Sequence, residues 1–291
     1  MISPVALDIY ATFASVLKVG NTFYMYYHSD DGIDRALSSD GYTWSKDESN
    51  SPIMSHGSGG WDNVVGVPMV WVEDNVWYMI YRGSGAGIQG NDAIGLATSS
   101  DGITWTKNVN NPVIQGESGE WDNDGAEAWG VIKVGITYYL YYEAGGVTAS
   151  RRIGIATSTD LINWTKDVNN PILENTRFCP FAFKYGDSYY LLVPHGSIND
   201  TGTAGRNVEI ELYKDASPTF YAADREFLGV VKKRGGEGRW DTWTQDTPVI
   251  LTDNIYRDSY ALTGGKLIMY YSGRESLEGK WAVGILESDG L

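Results

Sequence analysis

The sequence predicts an all-β fold, a five-bladed β-propeller with four antiparallel strands in each blade. Three observations lead to this prediction: a segment recurs along the chain, aromatic-rich strand patterns lie between its copies, and the two chain ends carry complementary parts of one copy. A repeat of about 60 residues with room for four short strands is typical of propellers. The 291 residues include 35 Gly and are 13% aromatic, which fits strands joined by tight turns.

The repeat is clearest in the middle of the chain. Residues 94–114 read "IGLATSSDGITWTKNVNNPVI", and residues 153–173 read "IGIATSTDLINWTKDVNNPIL". Its two landmarks are a turn tryptophan (Trp44, Trp105 and Trp164) and a later proline (Pro52, Pro112 and Pro171). A solenoid is the alternative architecture, but solenoids need atypical capping repeats at their ends, and these ends suggest closure instead.

A Trp-Asp pair and a strand run complete each unit. The pair occurs as "GGWDN", "GEWDN" and "GRWDT", and the strand runs are "FYMYYH", "WYMIYR", "YYLYYE", "YYLLVP" and "LIMYYS". We therefore expect one domain, 1–291, with blades at about 9–54, 61–114, 121–173, 177–231 and 240–291 plus 2–6.

The chain ends predict how the ring closes. The last residues, "ESDGL", stop inside a repeat, and Ser3-Pro4-Val5 matches the missing proline segment. We expect residues 2–6 to supply the outer strand of the last blade, beside the strand that ends near Glu287. Such pairing leaves the ring without an open sheet edge.

Composition narrows the function classes. The net charge of −15 disfavours binding to nucleic acid and anionic lipid. No run approaches the ~18 apolar residues of a membrane span, and the first residues lack the basic and apolar regions of a signal peptide. Localisation stays open between a cytoplasmic protein, a trimmed secreted form and a virion component. The oligomeric state is also left open.

Cysteine and histidine usage bears on cofactors. Cys179 is the only cysteine, which excludes an internal disulfide and a thiolate zinc site. His28 and His195 follow no metal-ligand spacing. We expect no cofactor and no bound metal in the site, although a structural cation in the central channel is compatible with the sequence.

Repeated acidic residues have two interpretations. The Ser-Asp-Gly turns are expected to be structural, each with a tryptophan packed beneath it. The second set recurs just before the inner strands and comprises Asp8, Asp62, Asp122 and Asp241. These residues either have a structural role, as turn residues or in hydrogen bonds between blades, or form a carboxylate ring at one mouth of the channel that binds a sugar or cation.

Functional residues of a pseudo-symmetric ring are expected where the blades differ. At one inner-strand position the five blades carry Thr12, Gly66, Glu127, Phe178 and Asp246. Only Glu127 and Asp246 are carboxylates, and inner strands line the channel, so we expect the two to face each other. Two convergent carboxylates are the minimum requirement for glycoside hydrolysis, one as acid and one as base.

Other candidates surround this pair. The ends of the second strands carry four different polar residues, and Trp129 offers an aromatic face for a sugar. With Arg257 and the repeated acids, the predicted substrate-binding set is Asp8, His28, Asp62, Arg82, Asp122, Trp129, Glu143, His195 and Arg257.

The predicted architecture, the strands "VGNTFYMYY" and "VGITYYLYY", and the segment "AEAWGVIKVG" resemble glycoside hydrolase family 43 and its propeller relatives, the arabinanases, xylosidases, invertases and levansucrases. The resemblance implies a general acid at Glu127. It also implies an Asp base in blade one and a tuning Asp in blade two, where this chain has Phe13-Ala14 and Val67-Pro68-Met69. Asp246 is a candidate replacement for the base.

Two functions follow as expectations. The first is hydrolysis of arabinose-, xylose- or fructose-type oligosaccharides with inversion, which requires carboxyl groups about 6.5–9.5 Å apart. In this mechanism burial beside Ala126, Ala128 and Trp129, with Asp122 or Asp124 nearby, raises the pKa of Glu127, and Arg257 or Arg82 keeps Asp246 ionised. The alternative is a non-catalytic carbohydrate-recognition propeller, such as a virion or cell-surface adhesin module.

Overall fold

A computed structural model describes residues 12–57, 59–88, 90–145, 151–174, 178–196, 209–232, 244–250, 261–262, 266–274 and 282–288. The regular elements within these ranges are β-strands, arranged in five antiparallel sheets. The predicted closing strand 2–6, Asp8, Asp241 and Arg257 lie outside the described residues.

The first two sheets share one pattern. Sheet 1 contains β1 (Thr12–Val19), β2 (Thr22–Ser29), β3 (Gly32–Ser38), β4 (Ser45–Lys46) and β5 (Met54–Ser55). Sheet 2 contains β6 (Val64–Glu73), β7 (Val76–Ser84), β8 (Asp92–Ser99), β9 (Thr106–Lys107) and β10 (Ile114–Gln115). In both, the outer strand is split into two short pieces that pair with the third strand.

The remaining sheets vary this pattern. Sheet 3 contains β11 (Glu127–Val134), β12 (Thr137–Ala144), β13 (Arg152–Ser158) and β14 (Thr165–Lys166); sheet 4 contains β15 (Phe181–Tyr185), β16 (Ser188–His195), β17 (Glu209–Asp215) and β18 (Glu226–Lys232). Sheet 5 contains β19 (Thr244–Ile250), β20 (Ala261–Leu262), β21 (Lys266–Arg274) and β22 (Ala282–Ser288). Here β19 and β20 both pair with one side of β21, and β22 pairs with the other.

The sheets surround a common axis, as in a β-propeller. Their first strands contact one another in cyclic order: β1 with β6, β6 with β11, β11 with β15, β15 with β19, and β19 with β1. Equivalent tyrosines join neighbouring sheets, since the hydroxyl of Tyr26 donates to the carbonyl of Gly102 at 2.9 Å and that of Tyr270 donates to Gly41 at 2.8 Å. The second bond connects sheet 5 to sheet 1.

The Ser-Asp-Gly turns have the structural role that the sequence suggests. The Asp40 carboxylate accepts the backbone N–H groups of Tyr42 and Thr43, and the Trp44 indole donates to the Gly41 carbonyl. These backbone donors lower the pKa of Asp40 to about 2. Asp101 and Asp160 make the same turn in sheets 2 and 3.

The inner strands of sheets 1 and 2 each contain a bulge near their start. The register of β1 against β2 shifts between Thr12 and Ser15, and that of β6 against β7 shifts between Gly66 and Met69. Within these bulges Phe13 and Val67 adopt φ angles of 57° and 50°. Left-handed backbone is costly for a β-branched or bulky residue, so surrounding contacts must hold these residues in place.

Candidate functional site

An apolar cluster closes the axis of the propeller. We call it the axial plug; its members are Phe13, Val67, Trp129, Phe178 and Cys179. The cavity beside it, lined also by residues of β6 and by Pro248 and Val249, has a volume of only about 10 Å³. This is about the smallest space that holds one water, so the described part of the chain forms a filled axis.

The plug corrects the prediction for Trp129. Its residue is 5% exposed, and its ring meets that of Phe13 edge-on with centroids 5.1 Å apart. An indole packed this way presents no free face to a sugar. The positions where the resembled family carries its other two acids, at Phe13 and Val67-Pro68-Met69, also lie in or beside the plug.

A polar pocket lies beside the plug, between sheets 2 and 3. We call it the acidic pocket; its volume is about 360 Å³ and its lining is Arg82, Asn91, Asp92, Asp124, Gly125, Glu127, Glu143, Ala144, Gly145 and Arg151. Antiparallel pairing brings its charged groups together, because strands β7 and β12 end where β8 and β11 begin. Two of its predicted members, Glu127 and Glu143, are direct cross-strand partners.

Arg82 is the cation at the centre of this pocket. Its Nη1 donates to Oε1 of Glu127 at 3.2 Å, and its Nε lies 3.7 Å from Oδ1 of Asp92. The structure therefore brings together Arg82 and Glu127, which the sequence predicted separately, and adds Asp92.

The Asp92 carboxyl group supplies a proton near neutral pH. Burial, followed by the charge of the neighbouring Glu127 carboxylate, raises the pKa of Asp92 from 3.8 to about 7. Asp92 and Glu127 are also hydrogen-bonded to each other, which favours the protonated form of Asp92. Two carboxyl groups in contact are closer than either glycosidase geometry, about 5–5.5 Å or 6.5–9.5 Å, allows.

His28 lies next to the pocket as a neutral side chain. Burial, then the positive charges of Arg82 and His56, lowers the pKa of His28 to about 4. Its ring stacks on Phe13, and a Cβ placed on Gly66 would come within 2.8 Å of its Nδ1. The glycine at this inner-strand position therefore makes room for the imidazole.

Glu143 links sheet 3 to sheet 4. It forms an ion pair with Arg151, and its Oε2 accepts the backbone N–H of Cys179 at 2.7 Å. These contacts fix Arg151 at the pocket wall and connect the acidic pocket to the axial plug.

Asp62 and Asp122 lie on the flanks of their sheets, outside the acidic pocket. Asp62 accepts bonds from the Tyr81 hydroxyl at 3.0 Å and Lys107 at 2.7 Å. Asp122, which is 1% exposed, pairs with Lys166 at 2.7 Å. These bonds tie the loop before each inner strand to strands of the same sheet, which is the role of a turn residue. Asp8 and Asp241 lie outside the described residues, so the carboxylate ring stays a prediction.

The register of β16 changes the assignment of His195. The Pro194 carbonyl accepts the N–H of Phe178, so Pro194 occupies the place that Arg82 has opposite Gly66. His195 is one residue further along, and its Nδ1 lies 3.2 Å from Oε1 of Glu211. This corrects the prediction that His195 is equivalent to Arg82 and Glu143.

The predicted base is placed only by its backbone. The backbone of Asp246, on the inner strand β19, pairs with that of Ser272 on β21. The Asp246 side chain and Arg257 lie outside the part of the chain that the structure describes. Its separation from Glu127 stays a prediction.

Two charged pocket residues, Asp92 and Arg151, were missed by the sequence analysis. Asp92 opens the third strand of sheet 2 in "NDAIGLATS", where sheet 3 has "RRIGIATS". The sequence analysis compared equivalent positions in the first and second strands. The same comparison of the third strands identifies Asp92 as a position where the blades differ.

Two negative findings apply to the described ranges. They contain no cluster of three or more His, Cys, Asp or Glu side chains arranged to hold a metal. They also contain no helix with the length and hydrophobicity needed to cross a bilayer.

Comparison with known proteins gives a fold relationship. No family model matches this chain, and no curated protein is similar in sequence. Among solved structures, a thermostable family-43 glycoside hydrolase is 17% identical with a TM-score of 0.67, over 98% of this chain and 92% of that one. The α-L-arabinofuranosidase of Podospora anserina, solved with cellotriose, is 13% identical with a TM-score of 0.67, over 98% and 92%. An exo-1,5-α-L-arabinanase from a bovine ruminal metagenomic library is 13% identical with a TM-score of 0.66, over 95% and 92%. This chain is thus similar in fold to propeller glycoside hydrolases.

Proposed function

We propose that this protein is a five-bladed propeller of the glycoside hydrolase type that binds oligosaccharides in the acidic pocket. The five sheets, the cyclic contacts of their inner strands and the Tyr270–Gly41 bond support five blades in a single domain. In this proposal residues 2–6, which lie outside the described residues, complete the last blade.

The observation that carries the sugar-binding proposal is the Arg82–Asp92–Glu127 cluster in a cavity of about 360 Å³. Sugar hydroxyls both donate and accept hydrogen bonds. The cluster offers a guanidinium that donates, a carboxylate that accepts, and a protonated carboxyl that does either. A cavity of this size with a few convergent polar groups is in the range of small-molecule sites.

Inverting hydrolysis is a second candidate, favoured by the raised pKa of Asp92 directly beside Glu127. A carboxylic acid protonated near neutral pH is what a general acid requires. In this proposal Asp92 passes its proton to Glu127 across their hydrogen bond, Glu127 delivers a proton to the leaving oxygen, and Asp246 activates water. The apolar residues at Phe13 and Val67 favour binding without turnover, because they replace the other acids that the resemblance implies.

The test pairs glycan-array binding with nitrophenyl glycosides of arabinose, xylose and fructose. Glu127→Gln should weaken binding to an array ligand by about tenfold, equivalent to about 1.4 kcal/mol. The exposed turn variant Asp74→Asn is the control and should bind like the parent. A parent protein that binds no glycan contradicts the proposal.

Turnover separates the two candidates. If Glu127→Gln and Asp246→Asn each abolish a measurable hydrolysis, and product NMR shows inversion, the enzyme proposal stands. Retention of configuration, or full activity in Asp246→Asn, removes Asp246 as the base. Binding by the parent without turnover establishes the recognition module.

A further inference from the structure

A second cavity lies on the outer rim of the propeller between sheets 2 and 3. We call it the rim groove; its volume is about 550 Å³ and its lining shares no residue with the acidic pocket. Strand β10 and the loop after it form one wall, and the outer part of sheet 3 forms the other. The loop 117–126 separates the two cavities, with Asp122 facing the groove and Asp124 facing the pocket.

Two half-buried indoles, Trp121 and Trp164, line the groove. Trp121 packs over Gly154, where a Cβ would lie 2.5 Å from its ring, and its ring centroid is 5.4 Å from that of Tyr142. The Trp164 indole N–H donates to the Leu161 carbonyl at 2.8 Å. Both rings are held by their own sheet, so they form rigid aromatic surfaces at the cavity.

The charges of the groove indicate the chemistry of its ligand. Lys166 has three donors, and they are directed to Asp122 at 2.7 Å, to Glu117 at 3.0 Å and to the Gln115 carbonyl at 2.8 Å. A lysine ammonium has only three N–H groups, so this cation is fully used within the protein. The groove thus offers an anionic ligand no free lysine.

Hydrogen-bond acceptors remain available at the open side. Glu117 and Glu120 line the groove and are exposed. Among the residues that the structure describes, no donor reaches the Glu120 carboxylate. Rigid aromatic faces next to the Glu120 carboxylate match the C–H faces and hydroxyl donors of a neutral sugar.

We propose that the rim groove is a second carbohydrate-binding site, which holds two or more neutral sugar units of a polysaccharide outside the acidic pocket. Its volume lies in the range of about 300–1,000 Å³ typical of ligand sites. The proposal shares the ligand class of the proposed function but uses a separate set of residues, so each can fail alone.

Affinity electrophoresis in gels containing arabinan, xylan or inulin tests the site. The parent protein should be retarded by at least one polysaccharide. Trp164→Ala should raise the apparent Kd by about tenfold, which corresponds to about 1.4 kcal/mol. Trp105→Ala is the matched control, because Trp105 occupies the same turn in sheet 2, packs against Tyr26 and does not line the groove. It should be retarded like the parent.

A second variant guards against a folding defect in Trp164→Ala. Glu120→Ala changes one exposed side chain that receives no donor from a described residue, and it should also weaken retardation with an unchanged melting temperature. Glu127→Gln in the acidic pocket should leave the retardation intact. The proposal is overturned if no polysaccharide retards the parent, if both tryptophan variants behave alike, or if only Glu127→Gln loses retardation.

Discussion

Asp92 shows how a single side chain gains chemical importance from its neighbours. In sequence it is one acid among 37 Asp and Glu residues. In the fold it is half-buried beside Glu127 and Arg82, and its pKa rises to about 7. Because the folded state then binds a proton that the unfolded state releases, this group makes the free energy of unfolding fall as pH rises from about 4 to about 7.

Asp92→Asn should remove that dependence. We expect its free energy of unfolding, measured by urea denaturation between pH 4.5 and 8, to decline less with pH than that of the parent. His28, whose lowered pKa acts with the opposite sign, is present in both proteins and cancels in the comparison. Asp74→Asn, at an exposed turn, should keep the parental slope; equal slopes for parent and Asp92→Asn would refute the assignment.

Phe13 is the residue that most clearly separates this chain from the family it resembles. Phe13→Asp recreates the family acid but places a charge in the axial plug, and we expect a loss of about 2–4 kcal/mol at pH 7. Phe13→Asn is the matched control, because asparagine is uncharged, has about the volume of aspartate and tolerates the positive φ of this position. The difference between the two variants should shrink as pH falls toward 4 in urea melts. Equal stability at pH 7 would argue against a dry plug.

At the scale of elements, the Trp-Asp loops act as clamps. Asp122 joins the loop to β12 and β14 through Tyr142 and Lys166, and its side chain is 1% exposed, whereas that of Asp62 is 15% exposed. Removing one partner of a buried ion pair leaves the other charge uncompensated, which costs about 3–5 kcal/mol.

We therefore expect Asp122→Ala to lose about 3–5 kcal/mol of folding free energy and Asp62→Ala to lose about 1–2 kcal/mol. Chemical denaturation of the two variants side by side measures both values. Similar small losses in the two variants would show that the buried contacts of Asp122 contribute little to the free energy of unfolding.

The sequence predicts individual strands and turns better than it predicts the candidate site. The aromatic strand runs and Asp-Gly turns appear in the structure as β2, β7, β12, β16 and β21 and the turns beyond, because strand alternation and turn chemistry are local. The acidic pocket is not local. Asp92 and Glu127 meet only after two sheets pack, and the register of β16, which moves His195 by one residue, depends on Pro194 pairing with Phe178.

At the scale of the whole molecule, the tyrosine bonds between sheets test the ring. Tyr270→Phe removes the bond from sheet 5 to sheet 1, and Tyr26→Phe removes the equivalent bond from sheet 1 to sheet 2. In a closed ring the two should lower the free energy of unfolding alike, by about 1 kcal/mol each. A loss in Tyr26→Phe alone, in thermal melts, would argue against closure at sheet 5.

Deletion of residues 1–6 tests the same closure from the other end. Without the predicted outer strand the last sheet has an open edge, and we expect a strongly lowered melting temperature. A deletion protein with the melting temperature of the parent would contradict the proposal that residues 2–6 form the closing strand.

The axial plug also decides the direction from which a ligand arrives. With Phe13, Val67 and Trp129 packed on the axis, the described residues leave a cavity of only about 10 Å³ there. Within this part of the chain no polymer can be threaded through the hub, so a sugar held in the acidic pocket exchanges with solvent without crossing the axis. A pocket of this kind suits chain termini and short side branches better than the interior of a long chain.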